Sequence, residues 1–202
     1  MFANHAVFLW LNASGNASSE VVDLAIALAT WPVFIVPAVL VALWVWGVRS
    51  RRAALLTTAV SAALALGINQ LLGLLWYEPR PFVAHVGRTL MTHAPDNSFP
   101  SDHATLMLTV GFGLIVTRAA PRVGLFVIAV ALPVAWARVY LGVHFPLDMI
   151  ASAVVAAVGG TFGRILVRPL RRWAMPPLNV AYSRSLEMLR LPERLFPRGR
   201  RV

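Results

Sequence analysis

The chain has 202 residues, 58% of them hydrophobic and 13% charged, with a mean hydropathy of +0.71 and a net charge of +10. These values exclude an ordinary soluble domain and point to a bundle of membrane helices. Cysteine is absent, which excludes disulfides and thiolate metal sites, and all 18 basic residues are arginine.

In chain order, residues 2–14 predict a short surface helix without the basic start and small-residue cleavage site of a signal peptide. The first long apolar run extends from Val21 to Val48, with Trp31-Pro32 expected to kink it. The second extends from Ala53 to Trp76 and gives way to a polar stretch, Tyr77 to Ser98. The third begins near Ser101 and ends at Arg118, the fourth runs from Val123 to Ala137, and the fifth from Leu147 to Val167. A helix needs about 17–25 apolar residues to cross a hydrocarbon core, so each run is long enough or nearly so, and the fourth is the shortest. The expected fold is all-α: a polytopic membrane helix bundle of about five transmembrane helices plus a short N-terminal surface helix. Residues 1–172 read as a membrane-embedded domain and residues 173–202 as a basic cytoplasmic tail. Two readings of that tail compete: an amphipathic helix over residues 179–191 lying on the anionic leaflet, and a disordered basic segment.

The arginines set the orientation. Arg49, Arg51 and Arg52 lie between runs one and two, Arg118 and Arg122 between runs three and four, and Arg164, Arg168, Arg171, Arg172 and the tail arginines at or beyond the end of run five. Alternating spans put all of these on one side, which their charge makes cytoplasmic, and leave Arg80, Arg88 and Arg138 on the other. Arginines distributed between apolar runs hold loops inside the cell and do not form a nucleic-acid surface.

Three polar segments fall together on the outer side: Glu78-Pro79-Arg80-Pro81-Phe82, Ser98-Phe99-Pro100-Ser101-Asp102-His103, and Ala137-Arg138 through Gly142-Val143-His144 to Asp148. Ionisable groups at membrane depth are costly, so their clustering marks a functional site. Arg80 and Arg138 offer planar donor forks suited to phosphate oxygens. Ser101 is placed to cap a helix whose free N–H groups attract an anion. His144 and Asp148 are four residues apart and meet on one helix face if the helix begins near Pro146. A carboxylate bonded to one imidazole nitrogen fixes the tautomer and frees the other nitrogen to attack, while His103 can protonate a leaving oxygen and later activate water. Such a set specifies phosphoryl transfer. A metal centre built from His93, Asp96, Asp102, His103, His144 and Asp148 is the weaker reading, because the close spacings lack a zinc pattern and two arginines would repel a cation.

At these segments the sequence resembles the type 2 phosphatidic acid phosphatase superfamily. Arg80-Pro81 is similar to the end of that family's first motif, Pro100-Ser101-Asp102-His103 to the second with Asp for Gly, and Ala137-Arg138, His144 and Asp148 to the third with Ala for Ser. The family's Lys would fall on Gly73. From Ile68 to Asp148 the chain most resembles the undecaprenyl-pyrophosphate phosphatases of the bacitracin-resistance type, a branch that tends to lack the Lys and to carry the Asp. The resemblance implies hydrolysis of undecaprenyl pyrophosphate through a phosphohistidine, in a bacterial inner membrane with the site facing the exterior. It implies His144, His103 and Asp148 as catalytic residues, with Arg80, Arg138, Ser101 and Asp102 at the substrate phosphate. Glu78, His85, His93 and Asp96 are expected to support the site or meet the distal phosphate. No metal or cofactor is implied; the partners are a polyprenyl pyrophosphate lipid and the membrane. Phosphatidic acid or phosphatidylglycerol phosphate as substrate is one alternative, and a non-catalytic lipid-pyrophosphate binder or transporter is another.

Overall fold

A computed structural model describes residues 2–192 and Phe196. The tail residues 193–195 and 197–202 lie outside the described residues.

The N-terminal helix α1 (Phe2–Leu11) is followed by α2 (Ser19–Thr30), a 3-10 turn (Pro32–Phe34) and α3 (Ile35–Trp46). Ser18 caps α2, its hydroxyl accepting from the Val21 N–H. Pro32 has no N–H to give to the helix, so α2 and α3 meet at a break where a kink was expected, and the two together make one apolar span, Ser19–Trp46. A second 3-10 turn (Arg49–Arg51) leads into α4 (Arg52–Leu75). After the polar loop come α5 (Asp102–Val116), α6 (Pro121–Tyr140), α7 (Pro146–Trp173) and α8 (Met175–Met188). The described residues contain no strand, only an isolated bridge between Pro79 and Asn97.

Among the described residues, four spans are long and apolar enough to cross a membrane: α2–α3, α4 with its leading turn, α6 and α7. At 1.5 Å per residue, α4 is about 36 Å long, more than the roughly 30 Å of a hydrocarbon core. The sequence expectation that the fourth run is the shortest is overturned. Helix α6 has 20 residues and extends through Arg138 to Tyr140, whereas α5 has 15. Helix α6 continues past Ala137 because the Arg138 guanidinium finds acceptors inside the bundle.

Helix α5 is central, packed against α4, α6 and α7, with Met107, Val110 and Leu114 wholly buried. Its length of about 22 Å falls short of the hydrocarbon core. Small residues allow the close approach: Gly111 faces Gly124 across α5 and α6 so tightly that a Cβ on Gly124 would lie 2.5 Å from the Gly111 carbonyl.

Helix α1 lies behind the loops. Phe8 packs edge-on against Phe145 at 5.1 Å, and Asn12 donates to the Arg88 and Tyr140 carbonyls. The turn after α6 requires glycine: Gly142 has φ +80°, and a Cβ there would lie 2.0 Å from the Arg88 carbonyl oxygen. At the other end of the bundle, residues 175–188 form a helix, so the helical reading holds for this part of the tail. Helix α8 docks on α4 through Arg52, whose guanidinium lies 4.4 Å from the Tyr182 ring centre and donates to Asn179.

Candidate active site

The ends of α4 and α6, the polar loop, the start of α5 and the turn between α6 and α7 line a cavity of about 380 Å³. Its walls include Arg80, His93, Asp96, Asp102, His103, Arg138 and His144.

The chemistry begins at the start of α7. Pro146 is the first helical residue, where a missing N–H costs nothing. Asp148, two residues on, reaches back so that its Oδ2 accepts from the Phe145 N–H at 2.8 Å. The same oxygen lies 3.1 Å from His144 Nδ1 and accepts from the Ser98 hydroxyl at 2.5 Å. One carboxylate thus starts the helix and holds the imidazole. His144 Nε2 is 3.0 Å from Arg80 Nη1, which can only donate. Nε2 therefore carries the lone pair, and Nδ1 carries the proton that points to Asp148. His144 is 1% exposed, and burial, reinforced by the Arg138 and Arg80 cations, holds it well below the ordinary imidazole range, so the ring is neutral.

The arginines are equally constrained. Arg80 donates through Nε to Asp96 at 2.7 Å, through Nη1 to the Val143 carbonyl at 2.9 Å and through Nη2 to the Asn97 carbonyl at 3.2 Å. Arg138 donates through Nη1 to the Ala29 carbonyl at 3.1 Å, and its Nη2 lies 3.0 Å from His93 Nε2. Its Nε is buried with no partner among the described residues.

His103 lines the cavity from the first turn of α5. His93 and Asp96, placed by sequence in supporting roles, line the cavity wall itself. The His93 Nδ1 meets the Ala94 carbonyl at 3.1 Å, and its ring stands edge to face with His144 at 6.3 Å. Burial, then the Arg80 and Arg138 charges, push the His93 pKa down against the raising effect of the Ala94 carbonyl. Asp102 also lines the cavity, but its carboxylate is held by the Asn69 amide at 2.9 Å and the Gln70 amide at 3.2 Å, which spread its charge toward α4.

Three expected residues are placed differently. Ser101 is the N-cap residue of α5, yet its hydroxyl is buried without a partner among the described residues and does not line the cavity; its carbonyl accepts from Ser152 of α7. Glu78 stands outside the cavity walls, its backbone N–H donating to Asn97 Oδ1 at 2.7 Å. His85 is exposed in a left-handed turn with φ 54° and is not brought to the site. Among the described residues no three His, Asp or Glu side chains are placed to hold a metal ion.

The sequence reading assigned no role to Ser98, Asn97, Asn69 or Gln70. The pair Asn69-Gln70 carried a usable signal, since two amides inside an otherwise apolar run need partners at membrane depth. Ser98 carried none beyond its place in a polar segment.

Residues 54–172 match the family model described as the PAP2 superfamily. The chain belongs to the PAP2 superfamily. Among its relatives in this superfamily, YbjG of Escherichia coli (strain K12) is 33% identical over 163 residues, covering 81% of this chain and 82% of YbjG. Undecaprenyl-diphosphatase BcrC of Bacillus subtilis (strain 168) is 30% identical over 157 residues, covering 78% of this chain and 80% of that protein. The crystal structure of Aquifex aeolicus LpxE superposes with a TM-score of 0.65 at 18% identity, covering 80% of this chain and 94% of LpxE. That likeness extends the PAP2 fold, in three dimensions, to the α-helical bundle of this multi-pass membrane protein.

Proposed function

We propose that this protein is an undecaprenyl-pyrophosphate phosphatase that releases the terminal phosphate through a phosphohistidine on His144. The observation that carries the reading is the orientation of that ring: Nδ1 held by Asp148 and Nε2 presented to the cavity side on which Arg80 sits.

The terminal phosphoryl group binds between Arg80 and Arg138, displacing the Arg80 donor from Nε2. The Nε2 lone pair attacks phosphorus, and the bridging P–O bond breaks as His103 gives its proton to the leaving lipid phosphate. His103 then takes a proton from water, whose oxygen attacks the phosphohistidine; the P–N bond breaks, inorganic phosphate leaves and His144 is restored. The arginines carry the charge of the transferring group at both steps, a role open to residues already fixed by Asp96, the Val143 carbonyl and the Ala29 carbonyl.

Two observations favour a lipid pyrophosphate. Leu74 forms part of the cavity wall and is 85% exposed, beside exposed Leu71 and Leu75, so an isoprenoid chain can lie along α4 while its head enters. The relative from Bacillus subtilis carries the undecaprenyl-diphosphatase name across most of its length. The arginine distribution favours an orientation with the cavity facing outward, and the relatives from Escherichia coli and Bacillus subtilis favour a bacterial inner membrane.

The test is phosphate release by the purified protein from undecaprenyl pyrophosphate, phosphatidic acid and phosphatidylglycerol phosphate, with His144→Ala alongside. Undecaprenyl pyrophosphate should be the preferred substrate, and His144→Ala should lose at least about a thousandfold in turnover while eluting as the same folded species. Near-normal turnover in that variant would refute the phosphohistidine, and a preference for phosphatidic acid would reassign the substrate.

A further inference from the structure

A second cluster of cations lies at the opposite end of the bundle from His144, where α4 begins and α7 ends. Arg49 stands in the 3-10 turn, Arg52 opens α4 and Arg171 lies in the last turn of α7. None of the ion pairs among the described residues involves these three; each of those pairs includes Asp96 or Asp148 at the other end.

Arg52 is wholly buried. Its guanidinium carbon lies 5.3 Å from the Trp44 ring centre and 4.4 Å from the Tyr182 ring centre, and it donates to the Trp44 carbonyl and to Asn179 Oδ1, both at 3.2 Å. Its Nη2 is buried beside the Tyr182 hydroxyl, and neither finds another partner among the described residues. Beside it opens a cavity of about 470 Å³. Arg49 and Arg171 supply its charge, Asn179 links it to Arg52, and Ala53, Met175 and Pro176 supply an apolar lining.

Two cations lining one cavity beside a buried third, with no carboxylate paired to any of them among the described residues, call for an anion. The depth says which kind. Trp46 and Trp173, 62% and 72% exposed, stand at the same helix ends, the level at which aromatic side chains mark a membrane–water interface. The phosphates of a leaflet lie at that level, and basic pockets between helix ends suit them. The mixed lining of arginine and apolar side chains matches a phosphate joined to a glycerol and acyl chains better than a free ion.

We propose that this cavity binds the phosphate of an anionic phospholipid in the leaflet opposite the active site, between Arg49 and Arg171, and thereby fastens α8 to α4. The inference does not depend on the reaction catalysed at the other end.

The full-length protein is reconstituted in nanodiscs of phosphatidylcholine with and without phosphatidylglycerol, and lipid retained after transfer to detergent is measured by native mass spectrometry. The wild type should retain phosphatidylglycerol over phosphatidylcholine by about tenfold, and Arg49→Gln with Arg171→Gln should lose most of that preference. Each single variant should lose part of it, which keeps the test available if the double variant does not fold. Arg164→Gln removes a charge from α7 away from the cavity and should leave the preference unchanged. Equal retention of the two lipids by the wild type would overturn the proposal. So would an equal loss in Arg164→Gln, which would mean a diffuse field and no site. Displacement of the lipid by inorganic phosphate at matched concentration would assign the cavity to a soluble anion and overturn the lipid occupant.

Discussion

Gly73 and Asn97 share a single volume: a Cβ on residue 73 would lie 2.8 Å from Asn97 Nδ2. Asn97 cannot easily yield. Its Oδ1 accepts from the Glu78 N–H at 2.7 Å, its Nδ2 donates to the Phe99 carbonyl, and its own carbonyl accepts from Arg80 Nη2. The position that resembles the superfamily's lysine is therefore filled by an amide that shapes the loop carrying Ser98 and buttresses Arg80.

Restoring the lysine should then harm the enzyme, although it adds a cation beside a phosphate site. Gly73→Lys should lower kcat/KM for lipid pyrophosphate by about a hundredfold, the scale expected when a supporting contact displaces a phosphate-binding group by an ångström. Gly73→Ala should act in the same direction and more weakly. Initial rates of phosphate release decide it, and a Gly73→Lys variant at or above wild-type activity would show that the loop adapts freely.

Ser98 links the loop to the His144–Asp148 pair. Its hydroxyl donates to Asp148 Oδ2 and lies 3.3 Å from His144 Nδ1. Hydrogen bonds to a charged group are worth about 1.5–3 kcal/mol, so Ser98→Ala should reduce kcat by about ten- to a hundredfold. Ser98 is buried and does not line the cavity, so KM should stay within about twofold of wild type. A rise in KM at constant kcat would place Ser98 in binding instead of in the orientation of Asp148.

The neutral state of His144 has a pH signature. Burial and the two arginines depress its pKa, so the form with a free Nε2 persists as the solution is acidified. The acid limb of kcat/KM should lie below about pH 6.5, the ordinary imidazole value, with activity held down to that pH and lost only as pH falls through the depressed value. Nitrogen NMR of labelled histidine should show His144 unprotonated on Nε2 at neutral pH. A limb at or above the ordinary value would mean that water or a counter-anion offsets the burial.

Much of this architecture could be read in the chain. Apolar run length located the spans, Pro32 located the break between α2 and α3, and the i, i+4 spacing after a helix-starting proline brought His144 to Asp148. What escaped reading depends on partners distant in sequence. The end of α6 was hidden because Arg138 looks like a boundary until the Ala29 carbonyl and His93 are seen to receive it. Ser101 looked like an anion-site residue by its place at a helix start, but its hydroxyl is buried, Ser152 of α7 takes its carbonyl, and the opening turn of α5 is left to Asp102 and His103. His85 and His93 are alike in a linear reading of the polar loop; only the fold turns one outward and the other onto Arg138.

The orientation in the membrane can be tested with cysteines, since the chain has none of its own. Thr92 is exposed on the loop beside the cavity, and Ser185 is exposed on α8 at the opposite end of the bundle. The arginine bias puts Thr92 outside and Ser185 inside. Thr92→Cys should therefore react with an impermeant thiol reagent applied to intact spheroplasts, and Ser185→Cys should react only after lysis. Both sites are accessible in the folded chain, so protection of either reports the membrane and not burial. Labelling of Ser185→Cys alone in intact cells would invert the topology. The cavity would then face the cytoplasm, away from a lipid pyrophosphate released on the outer surface, and the proposed substrate would fall with it.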